Sequence, residues 1–183
     1  MLVGIREDKL QVAFLVRPST AMLRGLHFEE LARDALCLAL PPGHALARLR
    51  SVTLAQAARE PLVVFTRKDY PEYLEYLEAQ FARIKAKPRI AEDHDSAASL
   101  IAAIESGKGV ALVPQSFSCS AGPRLKLISL SPAPEPLAIG AVWARDRLTP
   151  TVESFWKAAK QAVTTGLGRE GIGGTHISTG TGK

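Results

Sequence analysis

The sequence predicts an α/β fold with mainly parallel sheets, and three observations point there. Segments of strand character and of helix character mostly alternate in βα order up to about residue 164, roughly five helices and seven strands in all. Apolar residues recur at helical spacing in the longer segments, as at Leu74, Leu77 and Phe81. Between them lie short apolar runs of strand length, such as Ala35 to Leu40, closed by proline or glycine. No internal repeat interrupts this order.

Each element has its own local reason. Met1 to Asp8 reads as the end of a helix with Leu2 and Ile5 on one face, and Gln11 to Val16 as a strand. Leu26 to Glu30 reads as a short strand and Ala35 to Leu40 as a buried one, broken by Pro41, Pro42 and Gly43. Thr53 and Gln56 have capping-box spacing and open a short helix. Leu62 to Thr66 is rich in β-formers. Asp69, Pro71 and Glu72 open the clearest helix, reaching about Ala86, with Tyr70, Leu74, Leu77, Phe81 and Ile84 as its apolar stripe. Arg89 to His94 is a strand. Asp95 or Ser96 then caps a helix bearing Leu100, Ile101 and Ile104, and Gly107 ends it as a C′ glycine. Val110 to Val113 is a strand stopped by Pro114, and Leu125 to Ile128 and Leu137 to Trp143 are two more. Thr149 and Pro150 open the last helix, with Val152, Phe155, Trp156, Ala159 and Val163 on its buried side.

Composition narrows the function classes. The 183 residues are 46% hydrophobic and 22% charged, the balance of a globular chain with a real core rather than a disordered one. No apolar run approaches the ~20 residues of a membrane-spanning helix, and charges from Arg6 onward argue against a secretory signal. Two widely separated cysteines, Cys37 and Cys119, form neither a disulfide framework nor a zinc motif. They read as small buried residues in a reducing cytoplasm. The net charge of +5 is spread singly along the chain, without the basic runs and interleaved aromatics of a nucleic-acid surface. Residues 165–183 hold seven of the 14 glycines and read as a flexible tail. Gly166, Gly168 and Gly171 there match a dinucleotide fingerprint letter by letter. They follow a helix and lead into more glycine, so the strand-turn-helix setting that such a loop needs is missing.

Catalytic signals are weak. None of the four histidines sits in a nucleophile motif, and His44 after its Pro-Pro-Gly turn reads as structural. Glu92, Asp93, His94 and Asp95 are the densest polar cluster. Along a strand only alternate members share a face, which suits a strand end feeding a helix cap better than a metal site. Thr66, Arg67 and Lys68 follow a strand and precede a helix N-terminus, the place where open α/β sheets bind ligands. Free N–H donors and the Arg67 fork would suit a carboxylate there; a solvated basic loop is the alternative.

Several stretches together resemble the effector-binding domain of LysR-type transcriptional regulators. The most specific runs through Glu92, Ser96, Leu100-Ile101 and Gly107-Lys108-Gly109-Val110-Ala111-Leu112-Val113-Pro114-Gln115-Ser116. Leu36 to Leu40 with Pro42-Gly43-His44-Ala45-Leu46-Ala47 is similar to a second signature, Val52 to Ala55 with Glu60 to Val63 to a third, and Lys9 to Phe14 to a fourth. Ala45, Gln11 and Asp8 depart from the family's usual proline, aspartate and glycine.

The resemblance implies a two-lobed, periplasmic-binding-protein-like (type 2) fold. Lobe one would be residues 1–38 with 128–164, and lobe two residues 39–127. It also implies that the family's helix-turn-helix and the leading elements of lobe one are missing ahead of Met1, so that lobe one is incomplete. The implied effector contacts are Phe14, Phe65, Thr66, Arg67, His94 and Pro114, around a small organic acid or aromatic carboxylate. No catalysis, cofactor, metal or membrane partner is implied. DNA would be reached only through the missing helix-turn-helix, and self-association would be irregular. A solute-binding protein of the same fold is the alternative, and a small α/β enzyme a more distant one.

Overall fold

Strand direction organises the molecule. The structure, a computed structural model, describes residues 1–164; the glycine-rich segment read as a flexible tail lies outside the described residues. The strands are β1 (Ala13–Val16), β2 (Leu26–Asp34), β3 (Leu36–Leu40), β4 (Ser51–Val52), β5 (Leu62–Phe65), β6 (Ile90–His94), β7 (Ala111–Pro114), β8 (Lys126–Leu130) and β9 (Leu137–Ala144). The helices are α1 (Leu2–Arg6), α2 (Leu54–Ala57), α3 (Pro71–Arg83), α4 (Ala97–Glu105), α5 (Ser118–Ala121) and α6 (Pro150–Thr164).

A small sheet has the order β1-β9-β2, and a larger one the order β4-β8-β3-β7. The parallel pair β5-β6 joins the larger sheet where Leu62 meets Val110. There Val63 N donates to Val110 O at 2.9 Å and Val110 N to Pro61 O at 2.9 Å. In each sheet one strand runs against the rest: β9 in the small sheet, β3 in the large. The expectation of mainly parallel sheets therefore holds for strand direction in the large sheet, whereas both pairings in the small sheet are antiparallel. The cause is connectivity. β3 follows β2, and β9 follows β8, with no helix between them to turn the chain around, so each enters its new sheet reversed.

The small sheet is covered on both faces. Ala13, Leu15, Val142 and Ala144 pack with Leu2 and Ile5 of α1 on one side, as the short N-terminal stripe predicted. Ala141 and Trp143 pack with Val152 and Trp156 of α6 on the other. The large sheet buries Leu38, Leu40, Leu62, Val63, Leu112 and Val113 against Leu100, Ile101 and Ile104 of α4 and Leu77 and Phe81 of α3.

Sequence signals fall mostly where expected. The Thr53–Gln56 capping box closes in both directions, and Ser96 caps α4 through Ser99 N at 3.3 Å. Gly107 takes φ +78 just after α4, a conformation that costs only glycine nothing.

Several expectations are corrected. β2 does not stop at Glu30 but bulges past Leu31 and continues to Asp34, because β9 supplies partners along its whole length. β7 includes Pro114, whose missing N–H is harmless at the end of a strand. α3 begins after Tyr70 rather than Asp69, whose side chain is engaged with Thr66. Its buried face also takes in Tyr73, Glu72 and Gln80, while Ile84 is exposed. Phe155 is 50% exposed, because it reaches onto Phe14 of β1, the outer strand of the small sheet. Cys37 is buried, but Cys119 is exposed on α5.

Candidate functional site

The directions just described bring several strand ends together. β5, β6 and β7 run in parallel, so Phe65, His94 and Pro114 end at one edge of the large sheet. Pro114 lies opposite Leu36, the first residue of the reversed β3, so β2 also delivers Asp34 to this edge. On the small sheet the C-terminal end of β1 lies beside the start of β9, with Val16 opposite Ile139. Arg17 N then donates to Ala138 O at 2.8 Å. In sheets of this kind ligands sit outside the carboxyl ends of the strands.

A small set of contacts locks this junction. Gln115 N donates to Ala35 O at 2.8 Å, and Ser116 N to the Asp34 carboxylate at 3.1 Å. The buried Cys37 thiol donates to Gln115 Oε1 at 2.8 Å. Burial, with a smaller contribution from the Asp34 charge, pushes that thiol up to about 11, so it stays protonated and unreactive near neutral pH. Asp34 escaped the sequence reading, and Gln115 entered it only as part of the family-like run with no role of its own, because their side-chain partners lie some eighty residues away.

Four of the six expected contact residues share the strand-end edge. Thr66 N donates to His94 O at 2.9 Å, tying the ends of β5 and β6. The Thr66 hydroxyl donates to Asp69 Oδ2 at 2.8 Å and accepts from Asp69 N at 3.3 Å, which shapes the turn into α3. The Phe65 ring stacks between Tyr70 and Tyr73, with centroids 4.4 and 5.5 Å away. His94 is mostly buried. Its Nε2 lies 3.6 Å from Glu92 Oε2 and makes no hydrogen bond among the described residues. Glu92 and His94 thus share a strand face, as alternation requires.

Arg67 follows this edge but turns away from it, pairing with Glu78 of α3; both side chains are more than half exposed. Beside that pair is a groove of about 340 Å³ between α3 and β6. Glu78, Glu92 and Asp93 line it against the single Arg67, so its own charge does not attract an anion. Phe14 belongs to the small sheet, where its ring lies 5.6 Å from that of Phe155. His44 is structural, its Nδ1 accepting from Leu46 N at 3.2 Å to cap a short 3₁₀ turn.

Comparison with known proteins bears on this geometry. The family model described as the LysR substrate binding domain matches residues 1–164. The chain belongs to that family. Among curated relatives, the HTH-type transcriptional regulator TtuA of Agrobacterium vitis is 28% identical over 143 residues, covering 75% of this chain and 46% of that protein. The regulator BudR of Raoultella terrigena is 25% identical over 155 residues, covering 85% of this chain and 53% of that protein. The chain thus spans about half the length of these relatives. Among solved structures, the effector-binding domain of QuiR in complex with shikimate superposes with a TM-score of 0.78 at 16% identity, over 90% of this chain and 77% of that one. HinK, a LysR family regulator from Pseudomonas aeruginosa, gives 0.71 at 20%, over 88% and 56%. The fold is therefore that of LysR effector-binding domains, the type 2 periplasmic-binding-protein-like architecture. Among the described residues no helix is long and apolar enough to cross a membrane.

Proposed function

We propose that this LysR substrate-binding domain is the sensing module of a transcriptional regulator, which binds a small organic acid or aromatic carboxylate and performs no catalysis. Its two lobes are the small sheet with α1 and α6, and the large sheet with the remaining helices. They are joined where β2 runs into β3 and β8 leads into β9, and the effector sits between them. The observation that carries this reading is the convergence of the β5, β6 and β7 ends on that junction. The mostly buried His94 Nε2, which makes no hydrogen bond among the described residues, adds a polar group suited to a ligand atom. The similar QuiR domain is known in complex with shikimate, which is consistent with a ligand of this class.

In this proposal Thr66 and Arg67 hold the anionic end, and His94 and Phe65 flank the body. Arg67 must first leave Glu78. An exposed ion pair contributes only about 0–1 kcal/mol, so the exchange for a ligand carboxylate is inexpensive. In a full-length regulator, differential binding to two lobe arrangements would transmit effector occupancy to a separate DNA-reading domain. The test is isothermal titration with a panel of small carboxylates. For a ligand that binds the parent chain, Arg67→Ala should weaken affinity ten- to a hundredfold, the ~1.5–3 kcal/mol of a hydrogen bond to a charged group. Unchanged affinity in both Arg67→Ala and His94→Ala would remove the assignment.

A further inference from the structure

A second concave surface lies on the small sheet, apart from the groove beside α3. The segment from Arg17 to Gly25 leaves the end of β1 and travels back to the start of β2, and the space under it has a volume of about 730 Å³. That is within the ~300–1,000 Å³ of small-molecule sites. Arg17, Arg24 and Arg145 line it, together with His27, and no Asp or Glu does. The apolar part of its wall includes Leu23 and Phe28.

The three arginines come from separate places and are held differently. Arg17 follows β1 and lays its guanidinium 5.1 Å from the centre of the Phe28 ring, with Glu30 at 3.9 Å as its nearest carboxylate. Arg145 follows β9 and is fixed by its Nε, which donates to Leu26 O at 2.9 Å; its terminal nitrogens have no acceptor among the described residues. Arg24 sits exposed on the loop and makes no side-chain hydrogen bond or ion pair among the described residues. Two of the three forks are thus oriented by the fold, and one is at liberty to close over an occupant. Like charges gathered in a concavity raise the local potential and concentrate anions. Guanidinium forks favour the planar, bidentate oxygens of carboxylate and phosphate.

We infer that this pocket is a binding site for a small organic di- or trianion, separate from the effector site proposed at the strand ends. Charge sets the ligand class: Glu30 borders the pocket at Arg17 and Glu29 at His27, but neither lines it, so the three arginine charges that do call for more than a single negative charge. The apolar wall at Leu23 and Phe28 accommodates a carbon skeleton. Occupation would draw Arg17 away from Glu30, which places the site in mechanical contact with the end of β1 at the junction between the sheets.

Citrate and pyrophosphate serve as the carboxylate and phosphate probes, titrated calorimetrically into the chain at constant ionic strength. One-to-one saturable binding of at least one probe is expected, and the stronger of the two identifies the source of the oxyanion. Arg24→Glu should weaken that binding at least tenfold. Lys87→Glu makes the same change in net charge on a distant exposed residue and should leave it intact, as should Arg67→Ala. Circular dichroism confirms the fold of each variant. No saturable binding of either probe, or equal weakening by Lys87→Glu, overturns the inference. Weakening by Arg67→Ala with Arg24→Glu silent also overturns it and assigns the anion to the strand-end site instead.

Discussion

Gly109 shows how much can depend on one missing carbon. A Cβ there would lie 2.4 Å from Pro61 O, in the place where β5 and the start of β7 exchange hydrogen bonds. Gly109→Ala should therefore destabilise the domain by roughly 1–3 kcal/mol, the usual cost of forcing atoms into a packed site, read as a lower urea midpoint with an unchanged slope. An unchanged midpoint would mean that the strands can part locally without loss. Glu72 poses the opposite problem, a carboxyl buried in the first turn of α3. Burial raises its pKa, and a backbone hydrogen bond only partly offsets the rise. The folded chain consequently holds this proton more tightly than the unfolded one. Its contribution to stability is complete below the unfolded value of about 4.3 and is lost as pH rises through the folded value. Glu72→Gln should melt like the parent near pH 4 and higher than the parent at about pH 7. A variant that melts below the parent at both pH values would show that the carboxylate is needed for packing.

At the scale of elements, β1 and β7 make an instructive pair. Both are four residues long, but β7 lies between β3 and the bridge to β5, whereas β1 has β9 on one side and no strand on the other among the described residues. An edge strand over a small core opens more easily. Hydrogen exchange should be faster at Ala13–Val16 than at Ala111–Val113; equal protection would show that the two sheets open as one unit. Elements with local causes were legible in the sequence: the capping box at Thr53, a cap at Asp95 or Ser96, of which the structure uses Ser96, the Gly107 stop and the paired Leu2 and Ile5. What was not legible depended on distant partners. β2 extends to Asp34 because β9 lies beside it, and Phe155 stays half in water because β1 is an outer strand. Tyr73 is buried because its hydroxyl reaches Leu112 O across to β7. The candidate site divides in the same way. Thr66 stood out by its position at a strand end and His94 only through the family resemblance, while Glu78 could not be foreseen as the partner of Arg67, nor could the three arginines be grouped from positions 17, 24 and 145.

For the whole molecule, the reversed strands explain the placement of the proposed site. The chain passes between the sheets twice, and both passages lie at the edge where the parallel strands end, so the junction and the proposed effector site are the same region. The order of strands in the small sheet has a further consequence, in time rather than in space. Its central strand, β9, is the last strand of the described chain, and about a hundred residues separate it from the end of β2. On a ribosome adding ~5–20 residues per second, β1 and β2 would wait roughly 5–20 s for the strand that joins them. Every strand of the larger sheet emerges within that interval. The larger sheet can thus assemble first and hold β2 through its direct continuation into β3, while Leu15 and Leu26 remain exposed to chaperones until β9 arrives.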